Sequence, residues 1–187
     1  WVKLKVKTYF NRIECYMDNV KVFDVRHELP DGGLLGLTAR GNDGTRFDDV
    51  DAESNHDLDL GDIHELRYHT IAEEGRIFPR GPLSGLFIPQ RDWDTLKVGS
   101  SSAPQWIIVG SEAHAPHVFS SRFQEQSPNS KIGLIAGYTG PDKPFYRYTR
   151  RATPDQVVYW LEHVKNGEGE ILAELTRPGR KAKVRDT

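Results

Sequence analysis

With 187 residues, 37% of them apolar, the chain is long enough for one large β domain or two small ones with a real core. Charged residues make up 28% and the formal net charge is −2, which argues against the disordered and coiled-coil classes and gives no global drive towards nucleic acid or an anionic membrane. No apolar run approaches the roughly eighteen residues of a membrane span, and no signal-peptide pattern is visible.

The first residues alternate. Val2, Leu4 and Val6 fall between Lys3, Lys5 and Lys7, the period-2 pattern of a half-buried strand. Asn11-Arg12 interrupts it, and Ile13, Cys15 and Met17 resume it. Cys15 is the only cysteine, so no intrachain disulfide is open to it, and its place on a strand face predicts a buried, inert thiol. Asp18-Asn19 is a second turn, because both side chains tolerate the left-handed backbone of a tight hairpin. Val20 and Val22 begin a third strand. After the loop Pro30-Asp31-Gly32-Gly33, a fourth strand is expected from Leu34 to Ala39. The turn Gly41-Asn42-Asp43-Gly44 then leads into a fifth from Thr45 to Val50. Short strands with frequent turn signals argue for an antiparallel sandwich.

The run Trp1-Val2-Lys3-Leu4-Lys5-Val6, followed by Arg12-Ile13-Glu14-Cys15-Tyr16-Met17-Asp18-Asn19-Val20-Lys21-Val22-Phe23, resembles the W-x-L-x-V … I-x-V-x-x-D-G-x-x-V strands of laminin-G-like modules. It is also similar to sugar-active jelly-roll domains of the 3-keto-disaccharide hydrolase type. Leu29-Pro30-Asp31-Gly32-Gly33-Leu34-Leu35-Gly36-Leu37-Thr38 and Thr45-Arg46-Phe47-Asp48-Asp49-Val50 resemble the closing strands of those domains. Asn19 departs from the family's usual glycine, and no opening strands stand upstream of Trp1. The resemblance implies a mainly β, concanavalin-like antiparallel β-sandwich (jelly roll), carbohydrate as partner, and a secreted or extracytoplasmic location. Residues 1–52 would form part of that sandwich, and 53–187 a further β-rich region of the same sandwich or a second domain. The single methionine is Met17, so the chain has the start expected of a processed product or a fragment.

From Asp48 to Glu74 ten carboxylates face one arginine, Arg67. Within that stretch Asp51, Glu53, Asn55, Asp57 and Asp59 alternate, as oxygen ligands do in a calcium loop, because Ca²⁺ takes six to eight hard oxygens. His56 stands where an EF-hand needs glycine and Asp62 where it needs glutamate, so any Ca²⁺ site is of a looser kind, such as laminin-G-like modules carry. The competing reading is a solvated acidic loop.

Strand-like stretches follow at about 63–71, 83–88, 106–109, 117–123, 132–138 and 145–148. Trp93, between Asp92 and Asp94, is expected to be accessible; with Tyr138 and Tyr146 it is a candidate platform for stacking a sugar ring. Glu112, His114 and His117 form the most catalytic-looking cluster, since two histidines beside a carboxylate can share proton transfer or ligate a metal. A glycosidase also needs two carboxylates about 5–10 Å apart, and spacing alone pairs none of Asp48, Asp49, Glu65, Glu73, Glu74 and Glu112.

One short C-terminal helix is expected near 154–165. Thr153 reads as its N-cap, Pro154 as its first position and Gln156 as the partner in a capping box, with Val157, Trp160, Leu161 and Val164 as one apolar stripe. Asn166-Gly167 would end the helix, and 171–175 would form a last strand. The basic residues Arg177, Arg180, Lys181, Lys183 and Arg185 read as a solvated terminus rather than a nucleic-acid site.

No phosphate-binding glycine loop, dinucleotide fingerprint or G-x-S-x-G elbow occurs. The favoured function is a glycan-associated, carbohydrate-binding module. Alternatives are a saccharide-acting hydrolase or lyase using the carboxylate–histidine cluster, and a C-terminal effector or interaction domain.

Overall fold

The computed structural model describes residues 1–9, 11–28, 33–41, 45–54, 78–79, 87–89, 96–98, 105–113, 117–124, 129–140 and 142–179. At 34, 50, 52–54, 78–79, 87–89, 96–98, 105–113 and 117 the description is of the backbone. The described strands are β1 (Val2–Tyr9), β2 (Arg12–Met17), β3 (Val20–Arg26), β4 (Gly33–Arg40), β5 (Arg46–Ser54), β6 (Phe78–Pro79) and β7 (Phe87–Pro89). They continue with β8 (Leu96–Val98), β9 (Gln105–Ala113), β10 (His117–Gln124), β11 (Lys131–Tyr138), β12 (Phe145–Ala152), β13 (Gln156–Lys165) and β14 (Glu168–Pro178). The stretch expected as a strand at 63–71 lies outside the described residues.

These strands form two antiparallel sheets. Sheet A runs in the order β3-β2-β1-β10-β5-β8-β7, and sheet B in the order β14-β13-β12-β11-β4-β9-β6. β1 pairs with β10 and β4 with β11, so the first fifty residues and the later part of the chain share both sheets. One apolar cluster joins them, a β-sandwich-like arrangement. Leu4, Val6, Ile13, Cys15, Phe119 and Phe123 come from sheet A; Leu37, Leu134, Tyr148 and Leu161 come from sheet B. Phe23 and Tyr148 meet edge-on across the interface, their centroids 6.1 Å apart. The lysines alternating with Val2, Leu4 and Val6 keep the opposite face of β1 polar, as the sequence pattern requires. Cys15 is fully buried and unpaired, and burial raises its pKa well above the ordinary thiol value, so it is no nucleophile at neutral pH.

The expected helix near 154–165 is instead strand β13. The supposed capping box is real chemistry in another setting. Gln156 N–H donates to Thr153 Oγ1 at 3.1 Å, while Thr153 N–H donates to the Gln156 carbonyl at 2.8 Å. Together they close the turn joining β12 to β13, whose last pair is Ala152 with Val157. Asn166 and Gly167 have φ of 53° and 81° and form the two-residue loop between paired Lys165 and Glu168. Asn-Gly flanked by strands is the residue pair that a type I′ hairpin demands, so it ends no helix here. Val157, Tyr159 and Leu161 then face the core with period 2, which accounts for the same apolar content that fits a helical stripe of period 3.6. The turn at Asp18-Asn19 has φ of 46° and 66°, as expected for the β2–β3 hairpin.

Candidate functional site

Two places gather groups with chemical capacity. The first is at one end of the sandwich, where β3 leaves sheet A. The His27 backbone N–H donates to the Asn11 carbonyl at 2.8 Å, which fixes the main chain at the corner. The His27 imidazole Nδ1 lies 2.6 Å from Tyr146 Oη, and the Tyr146 hydroxyl donates to the Glu28 carbonyl. A phenol has one proton, so with that proton on Glu28 the His27 Nδ1–H is the donor to Tyr146. Tyr146 and His163 are direct partners across β12 and β13; their rings stack at 5.1 Å and 23°. The His27 and His163 centroids are 4.8 Å apart.

Burial pushes the Tyr146 phenol up to about 12, so it stays a neutral donor. His163 is held below the ordinary imidazole value, first by burial and then by its neighbour His27; Lys165 adds to the effect and Glu170 opposes it. A histidine whose folded pKa is lowered binds its proton more readily when unfolded, so its contribution is present above the unfolded value, about 6.5, and is lost as pH falls through the folded one. The wild-type melting temperature is therefore expected to drop between pH 7.5 and 5. In His163→Gln the drop should be smaller than in wild type, measured by thermal melts across that range. An unchanged drop would remove His163 as its cause.

The residues singled out from sequence are distributed around this end and beyond it. Glu112 stands next to Ala113, which pairs with Gly33 at the end of β9. His117 begins β10 opposite Thr8 and Ser54. The chain thus passes from sheet B to sheet A at the same end as His27, Tyr146 and His163. β9 is three strands from β12, and β10 three from β3, which puts the two groups about 14 Å apart along the sandwich. His114 lies outside the described residues, as do Trp93, Asn55, Asp57, Asp59, Glu65, Glu73 and Glu74.

Asp51 is exposed on β5 opposite Ser120, and Glu53 pairs with Val118. Among the described residues no group of three or more His, Cys, Asp or Glu side chains could hold a metal. Asp48 and Asp49 are taken up by a backbone turn and by ion pairs with Arg122. Asp49 has φ of 46° at a register shift, its N–H donates to Asp48 Oδ1 at 2.8 Å, and Arg122 Nε lies 2.5 Å from the Asp49 carboxylate. Tyr138 is buried and packs edge-on against Phe145 at 5.6 Å, while Tyr146 is buried among the histidines.

The second place is the face of sheet B turned away from the core. Alternation along β13 sends Val158, Trp160, Glu162 and Val164 to this face. Cross-strand pairing sets Trp160 beside Thr149 and Glu174, and Glu162 beside Arg147. Trp160 is partly exposed, and its Nε1–H donates to Glu174 at 2.9 Å. Lys131 Nζ lies 4.6 Å from the Trp160 ring centroid and the Arg151 guanidinium 5.3 Å from it, both within cation–π range.

Glu162 is only 6% exposed. It accepts from Arg147 Nε at 3.0 Å, from Lys131 Nζ at 3.1 Å and from Thr149 Oγ1 at 3.4 Å. Burial by itself would raise the Glu162 pKa, but Arg147 and Lys131 hold it below the ordinary carboxylate value. Lys131 is lowered, first by burial and then by the charges of Arg147 and Arg40, against the pull of Glu162. Trp160 was legible in the sequence only as a core residue of a helix stripe; strand parity is what brings it to this surface.

No protein-family model matches the chain, and no curated protein matches it.

Proposed function

We propose that the chain is a glycan-associated module, a concanavalin-like jelly roll that binds carbohydrate on the outer face of sheet B. The observation that carries the reading is Trp160. It is a partly exposed indole on β13, anchored by Glu174 and bordered by the Lys131 and Arg151 side chains, which can hydrogen-bond hydroxyls. Sugar rings stack their C–H faces on such an aromatic, and the polar border selects among them. The resemblance of residues 1–50 to laminin-G-like and sugar-active jelly rolls supports the same partner, a location outside the cytoplasm, and Ca²⁺ on the Asp51–Asp59 segment.

The test is retention on a panel of soluble and insoluble polysaccharides, with calcium and with chelator. Trp160→Ala is expected to weaken retention about tenfold or more, roughly the loss of one stacking contact, while Trp160→Phe keeps most of it. Full retention by a folded Trp160→Ala protein would overturn the assignment of the site.

A saccharide-acting hydrolase or lyase is the second reading. Its support is the His27–Tyr146–His163 cluster at the end of the sandwich that also carries Glu112 and His117. Release of sugar products in the same incubation, reduced in His163→Gln, would put it first.

A further inference from the structure

The outer face of sheet B carries a charge arrangement that sheet formation itself disfavours. Lys131 on β11 is the direct cross-strand partner of both Arg40 on β4 and Arg151 on β12. Three cations therefore stand in one row on adjacent strands, about 4.8 Å apart in backbone spacing. Like charges directly opposite each other destabilise a sheet, so the row needs something to offset it.

The carboxylates nearby do not serve the whole row. Glu162 is engaged by Lys131 and Arg147, and Glu174 accepts from Trp160. Among the described residues neither Arg40 nor Arg151 has an ion pair. Arg151 Nε is buried without a hydrogen-bond partner, although its guanidinium packs 5.3 Å from the Trp160 ring centroid. The outer face of sheet A is a contrast. There Arg12 and Lys21 are both paired with Asp24 and Glu14. Those ion pairs neutralise the centre of that sheet's β2–β3 hairpin; among the described residues Arg40 and Arg151 on sheet B have no such carboxylate, and they stand beside the one aromatic proposed to stack a sugar.

We propose that the ligand of this face is an acidic saccharide, one bearing carboxylate or sulfate groups, whose anionic group sits on the Arg40–Lys131–Arg151 row while its ring lies against Trp160. The inference rests on the carbohydrate reading and adds the chemical class. Arginine suits the task because its planar fork matches a carboxylate or sulfate with two parallel hydrogen bonds. A nucleic acid is the less favoured polyanion. Glu162 and Glu174 flank the row and would face successive phosphates, and the net charge of −2 offers no long-range attraction to a long polyanion.

The experiment measures binding of the whole chain to polygalacturonate, dextran sulfate, neutral dextran and a single-stranded oligonucleotide, at low and at 0.5 M salt. The expected result is preference for the two acidic polysaccharides, with binding weakened at high salt. The double variant R40Q/R151Q should bind them at least tenfold more weakly, with a thermal midpoint equal to or above wild type because like-charge neighbours have been removed. A charge-matched control, K3Q/K7Q on sheet A, should bind as wild type does.

Equal acidic-glycan binding by R40Q/R151Q, or an equal loss in K3Q/K7Q, would overturn the row as the site. Binding of neutral dextran as strong as that of the acidic chains, lost in Trp160→Ala, would overturn the acidic class and leave the carbohydrate reading standing. Binding of the oligonucleotide without any saccharide would overturn both.

Discussion

Gly133→Ala is expected to lower stability by about 3 kcal/mol or more, which for a chain of this size is a fall of roughly 6–12 °C in melting temperature. Gly133 lies in β11, between Thr38 of β4 and Thr149 of β12. A Cβ added there falls on the Tyr148 carbonyl oxygen and comes within 2.8 Å of Thr149 Cα. Those are backbone atoms, so no side-chain rotation relieves the overlap. The strands cannot easily part either, because β11 and β12 are in unbroken register from Lys131–Arg151 to Ala136–Tyr146. Relief requires shifting a central strand of sheet B. The same shift would disturb the Lys131 and Arg151 positions, so glycan retention should fall along with stability. Urea unfolding measures the effect, and a change within about 0.5 kcal/mol would show that the strands separate more easily than their pairing implies.

Glu162→Leu is expected to cost about 2–3 kcal/mol, somewhat below the 3–5 kcal/mol typical of breaking a fully buried pair. The carboxylate is nearly inaccessible, but Lys131 and Arg147 keep 26% and 23% of their side-chain exposure, so water recovers part of what they lose. Glu162→Gln retains the shape and some of the hydrogen bonding and should cost less. The pH dependence has a definite sign. Because the folded pKa of Glu162 is depressed, its contribution is present above the unfolded carboxylate value of about 4.3 and is lost as pH falls through the folded one. Acid unfolding of the wild type should therefore show a stability loss below about pH 4 that is smaller in both variants. Parallel acid profiles would mean that Glu162 titrates alike in both states.

The site on sheet B depends on Glu162 in a second way. By engaging Lys131 it holds one cation of the row in place beside Trp160, so both Glu162 variants should also weaken retention of acidic glycans. The sandwich-end cluster is built differently. Tyr146 and His163 come from neighbouring strands of sheet B and His27 from the segment that follows β3; they contact one another directly, with no carboxylate side chain in the hydrogen-bonded set.

Local chemistry explains how far the sequence could be followed. The lysine–aliphatic alternation of β1 and the Asp18-Asn19 turn are local properties, and they appear in the fold where the residues place them. The segment from Thr153 to Gly167 shows the limit. A threonine followed three residues later by glutamine can cap a helix or close a hairpin, and Val157, Trp160, Leu161 and Val164 satisfy a helical stripe while Val157, Tyr159 and Leu161 satisfy a strand face. Tertiary packing chose between them: β13 gains hydrogen bonds on both edges, from β12 and β14, and buries Tyr159 and Leu161 in the shared core. Asn166-Gly167 was the residue pair that favoured the hairpin on local grounds.

By itself, then, the sequence determined a mainly β chain, the polar and apolar faces of its first strands, and a buried, inert Cys15, because each follows from period and side-chain chemistry over a few residues. Only the tertiary structure decided that Arg40, Lys131 and Arg151 form one row, that Trp160 stands beside it, and that His27 meets Tyr146 and His163. Those groups are separated by up to 136 positions in the chain and are joined by strand register, which long-range pairing sets and no local pattern encodes.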